Sequence, residues 1–249
     1  MSNAVAVVRA LRAIHNGAYP DYEKVLTQAY SRFLSQIPDP IIVDVGANLG
    51  LHLAQFVSFG RTIAFEPIPD LAEALSQRFR EADVRQMALG RAPSTASFCY
   101  LPEAIGMSGL RLRDTHGITS VVQTINVQVE TLDRQLADLP HLTYIKMDIE
   151  GGEIDCLVGG RHTIARLRPL ISVEYGRAAY AAYGHTALTL FEWAREMSYI
   201  PSDLLGNLIE TESEWLAVCD AMYWDYLLVP RERRDDWSRY FSESFAAAG

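Results

Sequence analysis

From residue 41 onward the chain alternates short, almost uniformly apolar runs with stretches of helical period, and few architectures tolerate that rhythm. Ile41, Ile42, Val43, Asp44 and Val45 form the first run, β-branched and apolar enough for a strand buried on both faces. Residues 49–59 read as a helix and 62–65 as a strand. Leu71, Leu75 and Phe79 then recur every four residues on a helix that turns Arg78 and Arg80 outward. Residues 84–89 read as a third strand. The rhythm resumes with a strand over 144–149, a helix over 153–166, a strand over 170–175, a helix over 188–197 and a last strand over 226–229. Such alternation implies right-handed crossovers and a doubly wound, mostly parallel α/β sheet. Ligands of these sheets sit beyond the carboxyl ends of the strands, so the residues following each strand are the ones to examine.

Two segments break the rhythm. Residues 91–142 have strand character only at 94–101 and 125–131, and between these lie Gly106, Gly109, His116 and Gly117, which reads as an insertion with a loop. Residues 1–37 carry apolar side chains at helical spacing (Val25, Ala29, Phe33; Leu26, Tyr30), interrupted over 17–21 around Pro20. The division expected is a small N-terminal helical extension over 1–37 and one domain over 38–249, a length that a single core can still fill.

Charge narrows the partners. Against 31 Asp and Glu stand 22 Lys and Arg, a formal net charge of -9, and the Arg231, Arg233, Arg234 cluster is interleaved with Glu232, Asp235 and Asp236. A generic nucleic-acid binder is basic, so nucleic acid is excluded as a partner. No apolar stretch reaches the length of a membrane span, and the apolar start, 4–8, is too short for a secretory signal. Cys99, Cys156 and Cys219 form no C-x-x-C pair, so neither a zinc site nor a disulfide framework is expected. A cytoplasmic protein is expected. A homodimer is left open, with Trp215, Trp224 and Trp237 as residues that could serve its interface.

Beyond the first strand comes Asp44-Val45-Gly46-Ala47-Asn48-Leu49-Gly50, a glycine turn between strand and helix. A dinucleotide turn places glycines where this one has Asn48 and Leu51, so the turn is suited to close approach of a ligand without a diphosphate. That substitution also argues against a nicotinamide-dependent oxidoreductase. The second strand ends in Phe65-Glu66-Pro67, where an ionised acid could accept two hydrogen bonds from the vicinal hydroxyls of a ribose, or simply cap the helix that follows. Met87 and Ala88, after the third, could pack on an adenine face. The fourth strand ends in Lys146-Met147-Asp148-Ile149-Glu150-Gly151-Gly152-Glu153, which gathers acids at the carboxyl edge, and Glu174 ends the fifth. A carboxylate there could take the proton of a hydroxyl nucleophile or hold a cationic ligand.

These stretches, VDVGANLG (43–50), AFEP (64–67), MALG (87–90), GMSGL (106–110), VQVETLD (127–133), YIKMDIEGGEIDCLVGG (144–160), LISVEY (170–175) and YLLVP (226–230), resemble the FkbM family of class I S-adenosylmethionine methyltransferases. Gly109 departs from the family's loop, where a second serine is expected. The resemblance implies a seven-stranded Rossmann-like methyltransferase sheet and O-methylation of a hydroxyl on a small molecule such as a polyketide, sugar or glycan. It also implies S-adenosylmethionine held by Asp44, Gly46, Ala47, Asn48, Gly50, Glu66, Pro67, Met87, Ala88, Ser108 and Asp148. The candidate catalytic residues are Asp148 and Glu150, with Glu174 and His185 in reserve. Asp148, Glu150 and Glu174 could also ligate magnesium through hard oxygens, though no required metal is expected. Methylation of a carboxyl or amine, for example on a peptide, and a non-catalytic adenosyl-nucleoside-binding module are the alternatives. Acceptor recognition is expected from Tyr19, Tyr22 and Tyr30, the 102–120 loop, and the 176–187 loop with Tyr180 and Tyr183.

Overall fold

The computed structural model describes residues 3–15, 22–114 and 121–237, with only the backbone of 11–15; the 17–21 break, Tyr19, His116 and Gly117 lie outside the described residues. The chain opens with α1 (Asn3–His15) and α2 (Tyr22–Leu34), then runs through β1 (Ile41–Val45), α3 (Leu53–Phe59), β2 (Arg61–Phe65), α4 (Pro69–Arg78) and β3 (Asp83–Arg85). It continues with β4 (Ala88–Leu89), β5 (Ser94–Tyr100), β6 (Gln123–Glu130), α5 (Leu132–Gln135) and β7 (Tyr144–Met147). The remainder is α6 (Glu153–Gly159), α7 (Arg161–Leu167), β8 (Leu170–Glu174), α8 (Arg177–Tyr180), α9 (Ala187–Glu196), β9 (Tyr199–Ser202), α10 (Glu212–Val218) and β10 (Asp225–Pro230). No helix of the described residues is long and apolar enough to cross a membrane.

Seven strands form one sheet in the order β3-β2-β1-β7-β8-β10-β9. The pairings from β3 to β8 are parallel, and β10 runs antiparallel to both of its neighbours, β8 and β9. From β1 the chain winds outward to β2 and β3, then crosses back to place β7 on the other side of β1. The β1/β7 junction is therefore the switch point of this doubly wound Rossmann-like sheet. A second, three-stranded sheet, β4-β6-β5, pairs the end of the 84–89 run with the two strands of the insertion.

Period two divides the strand side chains between two cores. Val43, Val45, Ile145, Ile171 and Val173 pack with α9, α10 and the start of α1. Ile42, Tyr144, Leu170 and Leu227 pack under α2 through Leu26, Tyr30, Phe33 and Leu34. On this second face the same alternation puts Asp44, Lys146, Ser172 and Asp225 toward α2, so the face is apolar in its depth and polar at its carboxyl edge.

Several sequence expectations are corrected here. The run at 84–89 is two strands: Met87 N donates to Arg85 O at 2.9 Å, the chain bends, and Ala88 and Leu89 pair with Val129 and Glu130 instead of continuing beside β2. The helix expected over 49–59 starts at Leu53, because Asn48 (φ 48°) and Gly50 (φ 79°) spend the preceding residues in a left-handed turn. The helix over 153–166 breaks at Gly160, where a Cβ would lie 2.9 Å from the Leu132 Cβ. Trp215 and Trp237 are core residues at 0% and 2% exposure, unavailable to a subunit interface.

Candidate functional site

At the carboxyl edge of the sheet, across β2, β1, β7, β8 and β10, lies a cavity of about 300 Å³. Its first wall is the turn after β1. Gly46 has φ 86°, and a Cβ there would lie 2.0 Å from the Asp148 carbonyl oxygen, so only glycine lets the β1 and β7 turns meet. Gly46 N and Ala47 N both donate to Phe65 O, at 3.0 and 3.2 Å, which closes the turn on the end of β2.

Glu66 follows β2 and is 3% exposed. Its Oε2 accepts from Asn48 N at 2.8 Å and its Oε1 from Ile68 N at 2.9 Å, so the carboxylate is fixed with spare lone pairs on each oxygen. Burial pushes its pKa up to about 7 against the pull of these two N–H groups. Beside it an apolar wall is formed by Ile68, Leu71, Met87, Ala88 and Phe98, with Ile105 and Leu110 from the insertion. Ser108 also lines the cavity and accepts from Leu101 N at 3.0 Å, which pins the loop. Gly109 exchanges both backbone hydrogen bonds with Cys99, so at this departure from the family's loop the contact is made by main chain alone.

Past β7 the site turns acidic. Lys146, 3% exposed, donates to Asp148 Oδ2 at 3.0 Å. Burial would raise the Asp148 pKa, but Lys146 and a hydrogen bond from Glu174 outweigh it and hold the carboxyl below its usual range, although the side chain remains open to the cavity. Glu174 is shifted the other way, well upward, by burial and by the Asp148 charge, and so carries the proton of the pair. Glu150, at φ 60°, forms a buried ion pair with Arg113 of the insertion. Glu153 instead holds its own turn: Oε1 accepts from Ile149 N at 2.9 Å and Gly151 N at 3.2 Å, and burial raises its pKa to about 7.

Two acidic cavity residues escape the sequence reading. Asp225 opens β10, in register with Glu174 across the antiparallel pair, and has no hydrogen-bond partner among the described residues. Burial and the neighbouring Asp148 push its pKa up to about 7, against the pull of Lys146. An antiparallel strand presents its first residue at the edge where parallel strands end, so the antiparallel sense of 226–229 was the signal that could have exposed it. Glu23 reaches the cavity from α2 and pairs with His52 Nε2, whose Nδ1 lies 3.0 Å from Tyr30 Oη. No motif marks Glu23.

Of the residues expected from the sequence, the structure brings Gly46, Asn48, Glu66, Pro67, Met87, Ala88, Ser108, Asp148, Glu150 and Glu174 to the cavity wall. Ala47 and Gly50 shape the turn without lining it, and Asp44 lies beneath with both carboxylate oxygens buried and without a hydrogen bond among the described residues. His185 is not brought in: it sits beside Asp155, Arg91 and Arg111, and burial lowers its pKa. Tyr30 and Tyr180 are core residues, the latter donating to Asp220 at 2.7 Å. Tyr22 packs on Tyr223, and Tyr183 lies against Gly151. Carboxylate oxygens of Asp148, Glu150 and Glu174 lie within 4.8 Å of one another, but Asp148 and Glu150 are already engaged by Lys146 and Arg113.

The sequence profile of the methyltransferase FkbM domain matches residues 44–201. Hexuronic acid methyltransferase AglP of Haloferax volcanii is 28% identical over 123 residues, 49% of this chain and 50% of AglP. Methyltransferase 1 of Beauveria bassiana is 28% identical over 145 residues, 49% of this chain and 58% of that protein. The chain thus spans about half the length of these relatives. Among solved structures, a methyltransferase FkbM from Methylobacillus flagellatus superposes with TM-score 0.48 at 18% identity, covering 76% of this chain and 43% of that one. An O-methyltransferase from Bacillus cereus, in complex with SAH, gives 0.40 at 10% identity, with 92% and 90% covered. Matched by the family profile over more than half of its length, this chain belongs to the methyltransferase FkbM domain family.

Proposed function

We propose that the protein is an S-adenosylmethionine-dependent O-methyltransferase acting on a hydroxyl of a small molecule. The observation that carries this reading is the pairing, in one cavity, of a fixed acid just past β2 with an ionised acid just past β7, joined by a glycine turn that lacks the pyrophosphate glycine. The residues present fit the cofactor: Glu66, anchored by two backbone N–H groups, offers lone pairs to the two ribose hydroxyls. Ile68, Met87, Ala88 and Phe98 suit an adenine, and Gly46 and Asn48 let the amino-acid portion lie against backbone. The carboxylate of Asp44, buried beneath the turn and without a hydrogen bond among the described residues, sets an acid behind the place that the amino-acid portion would take.

When bound, S-adenosylmethionine would supply a methyl group on a positively charged sulfur, leaving as the neutral thioether S-adenosylhomocysteine once that methyl is on the substrate oxygen. Asp148 is assigned as the group that receives the hydroxyl proton as the C–O bond forms. Its low pKa suffices, because the oxygen that is gaining a bond becomes far more acidic than any carboxyl. Lys146 keeps Asp148 ionised and aimed, and the protonated Glu174 donates a hydrogen bond to it. Glu150 is committed to Arg113, and is read as the anchor of the insertion rather than a base.

The test is a thermal melt with S-adenosylhomocysteine. A ligand at 100 times its Kd adds about 2.7 kcal/mol, about 5–10 °C for a domain of this size. The shift should be absent with NADH and retained in Asp148→Asn. No shift at millimolar ligand defeats the assignment.

A further inference from the structure

The acceptor half of the cavity is separable from the cofactor half by topology. From Glu66 on β2 to Asp225 on β10 the sheet crosses β1, β7 and β8, four steps of about 4.8 Å. With the ribose at Glu66 and the transferred methyl near Asp148, the β8 and β10 edge is left to the acceptor. The acids on this side are Glu23, Asp148, Glu150, Glu174 and Asp225.

Three of these have a basic partner: Glu23 has His52, Asp148 has Lys146, and Glu150 has Arg113. Glu174 and Asp225 have none among the described residues, and they stand directly opposite one another on adjacent antiparallel strands. Burial first, and then the neighbouring Asp148 charge, drives both toward their protonated forms in the protein alone, and like charges in that position would repel if both ionised. Such a pair is relieved by a positive charge placed between or above it. Among the described residues the lining of the cavity includes no Lys, Arg or His to do this, and no cation that could receive a carboxylate.

We propose that the acceptor is a hydroxyl compound carrying a positively charged amine, which Asp225 and Glu174 hold while the neighbouring hydroxyl is presented at Asp148. This rests on the methyltransferase reading above and adds the chemical class of the substrate. The protonated nitrogen has no lone pair, so it serves as the handle and the oxygen as the nucleophile. Acceptors bearing a carboxylate are repelled by the same acids, which sets this chain apart from a relative named for hexuronic acid. Glu23 and Asp225 both lie outside the matched segment 44–201, so the acids at the two flanks of the acceptor side come from parts of the chain that the family profile does not specify.

The experiment uses the full chain saturated with S-adenosylhomocysteine and two sets of probes matched in shape and differing in charge: glucosamine, glucose and glucuronate; serinol, glycerol and glycerate. A cofactor-induced shift in the melt is required first, and its failure defeats the methyltransferase reading. With that shift present, calorimetric titration should show an amine binding at least tenfold more tightly than its neutral counterpart in at least one set, with the carboxylate weakest. Asp225→Asn should remove most of that preference while keeping its cofactor shift, which shows that the variant is folded. Preference for the neutral or acidic member, an amine preference unchanged in Asp225→Asn, or no amine binding in either set overturns the proposal.

Discussion

Replacing Glu66 by glutamine separates the cofactor reading from a merely structural role for this acid. In the native turn each carboxylate oxygen accepts one backbone N–H, from Asn48 and from Ile68. Glutamine keeps one acceptor and turns an NH2 toward the other N–H, leaving a buried donor unsatisfied at a cost of about 1–3 kcal/mol in stability. Toward a ribose the loss is larger in kind, since two charge-assisted hydrogen bonds are replaced by neutral ones and one hydroxyl must turn from donor to acceptor. A net loss of about 3 kcal/mol corresponds to about 100-fold in Kd for S-adenosylhomocysteine. pH supplies the second axis. Because burial lifts the Glu66 carboxyl to about 7, the free protein is largely protonated there at pH 6, and binding that needs the ionised form must first remove that proton. Affinity should therefore weaken about tenfold from pH 8 to pH 6, in the direction linkage requires for a proton released on binding. Glu153 and Asp225, also lifted to about 7, remain in the variant, so the difference between the two pH profiles belongs to Glu66. Isothermal titration from pH 6 to 8 on both proteins measures it. A glutamine variant that binds within threefold of the native protein, or a difference profile that is flat, refutes the reasoning.

Other consequences are as specific. Glu66, Glu153 and Asp225 have folded pKa values of about 7, above the ordinary range, so stability is greatest at the acid end of the window and is lost as pH rises through 7; His185, lowered by burial, opposes this as one group against three. The thermal midpoint of the ligand-free protein should fall between pH 5 and 8, and a rise would contradict it. Gly46→Ala forces a Cβ to within 2.0 Å of Asp148 O at a φ of 86°, and a urea midpoint should show a loss of at least about 3 kcal/mol together with loss of cofactor binding. Arg113→Met strands a buried Glu150 at about 3–5 kcal/mol, whereas Arg113→Met with Glu150→Gln should recover much of it; equal losses in the two would show that the pair is not coupled. Asp148→Asn should lower kcat by about 100- to 10,000-fold on an identified acceptor with little change in cofactor affinity.

The strands that are buried on both faces were legible because β1, β7 and β8 are short runs dominated by apolar and β-branched residues, with polar ones only toward the carboxyl edge. Elements at the margin were not. Tyr199–Ser202 contains Pro201, which reads as a breaker, yet an edge strand tolerates it because one row of its backbone groups has no ladder to complete. Helix α10 passed unread although Thr211 and Glu214 form a capping box at the spacing such boxes have, with Glu214 N donating to Thr211 Oγ1. The bend at 86–87 had no sequence signal at all: it is decided by where β6 offers a partner for Ala88 and Leu89, a contact some forty residues away.

The same distinction governs the cavity. Cofactor-side residues follow parallel strands closely in sequence, and the fold obliges them to be there: Glu66 is one step past β2, Asp148 one step past β7. Acceptor-side acids arrive by longer routes. Asp225 is at the edge because β10 alone reverses direction, and Glu23 because a helix from outside the alternating pattern lies over the polar end of one sheet face. Neither placement is encoded within a motif's length, and both depend on which element covers which. On the proposed reading, recognition of the acceptor is the part of the chemistry least constrained by the sheet, free to change through α2 and the start of β10 while the turn after β1, Glu66 and Asp148 stay in place. Exchanging those two acids should redirect the acceptor and leave the affinity for S-adenosylhomocysteine where it was.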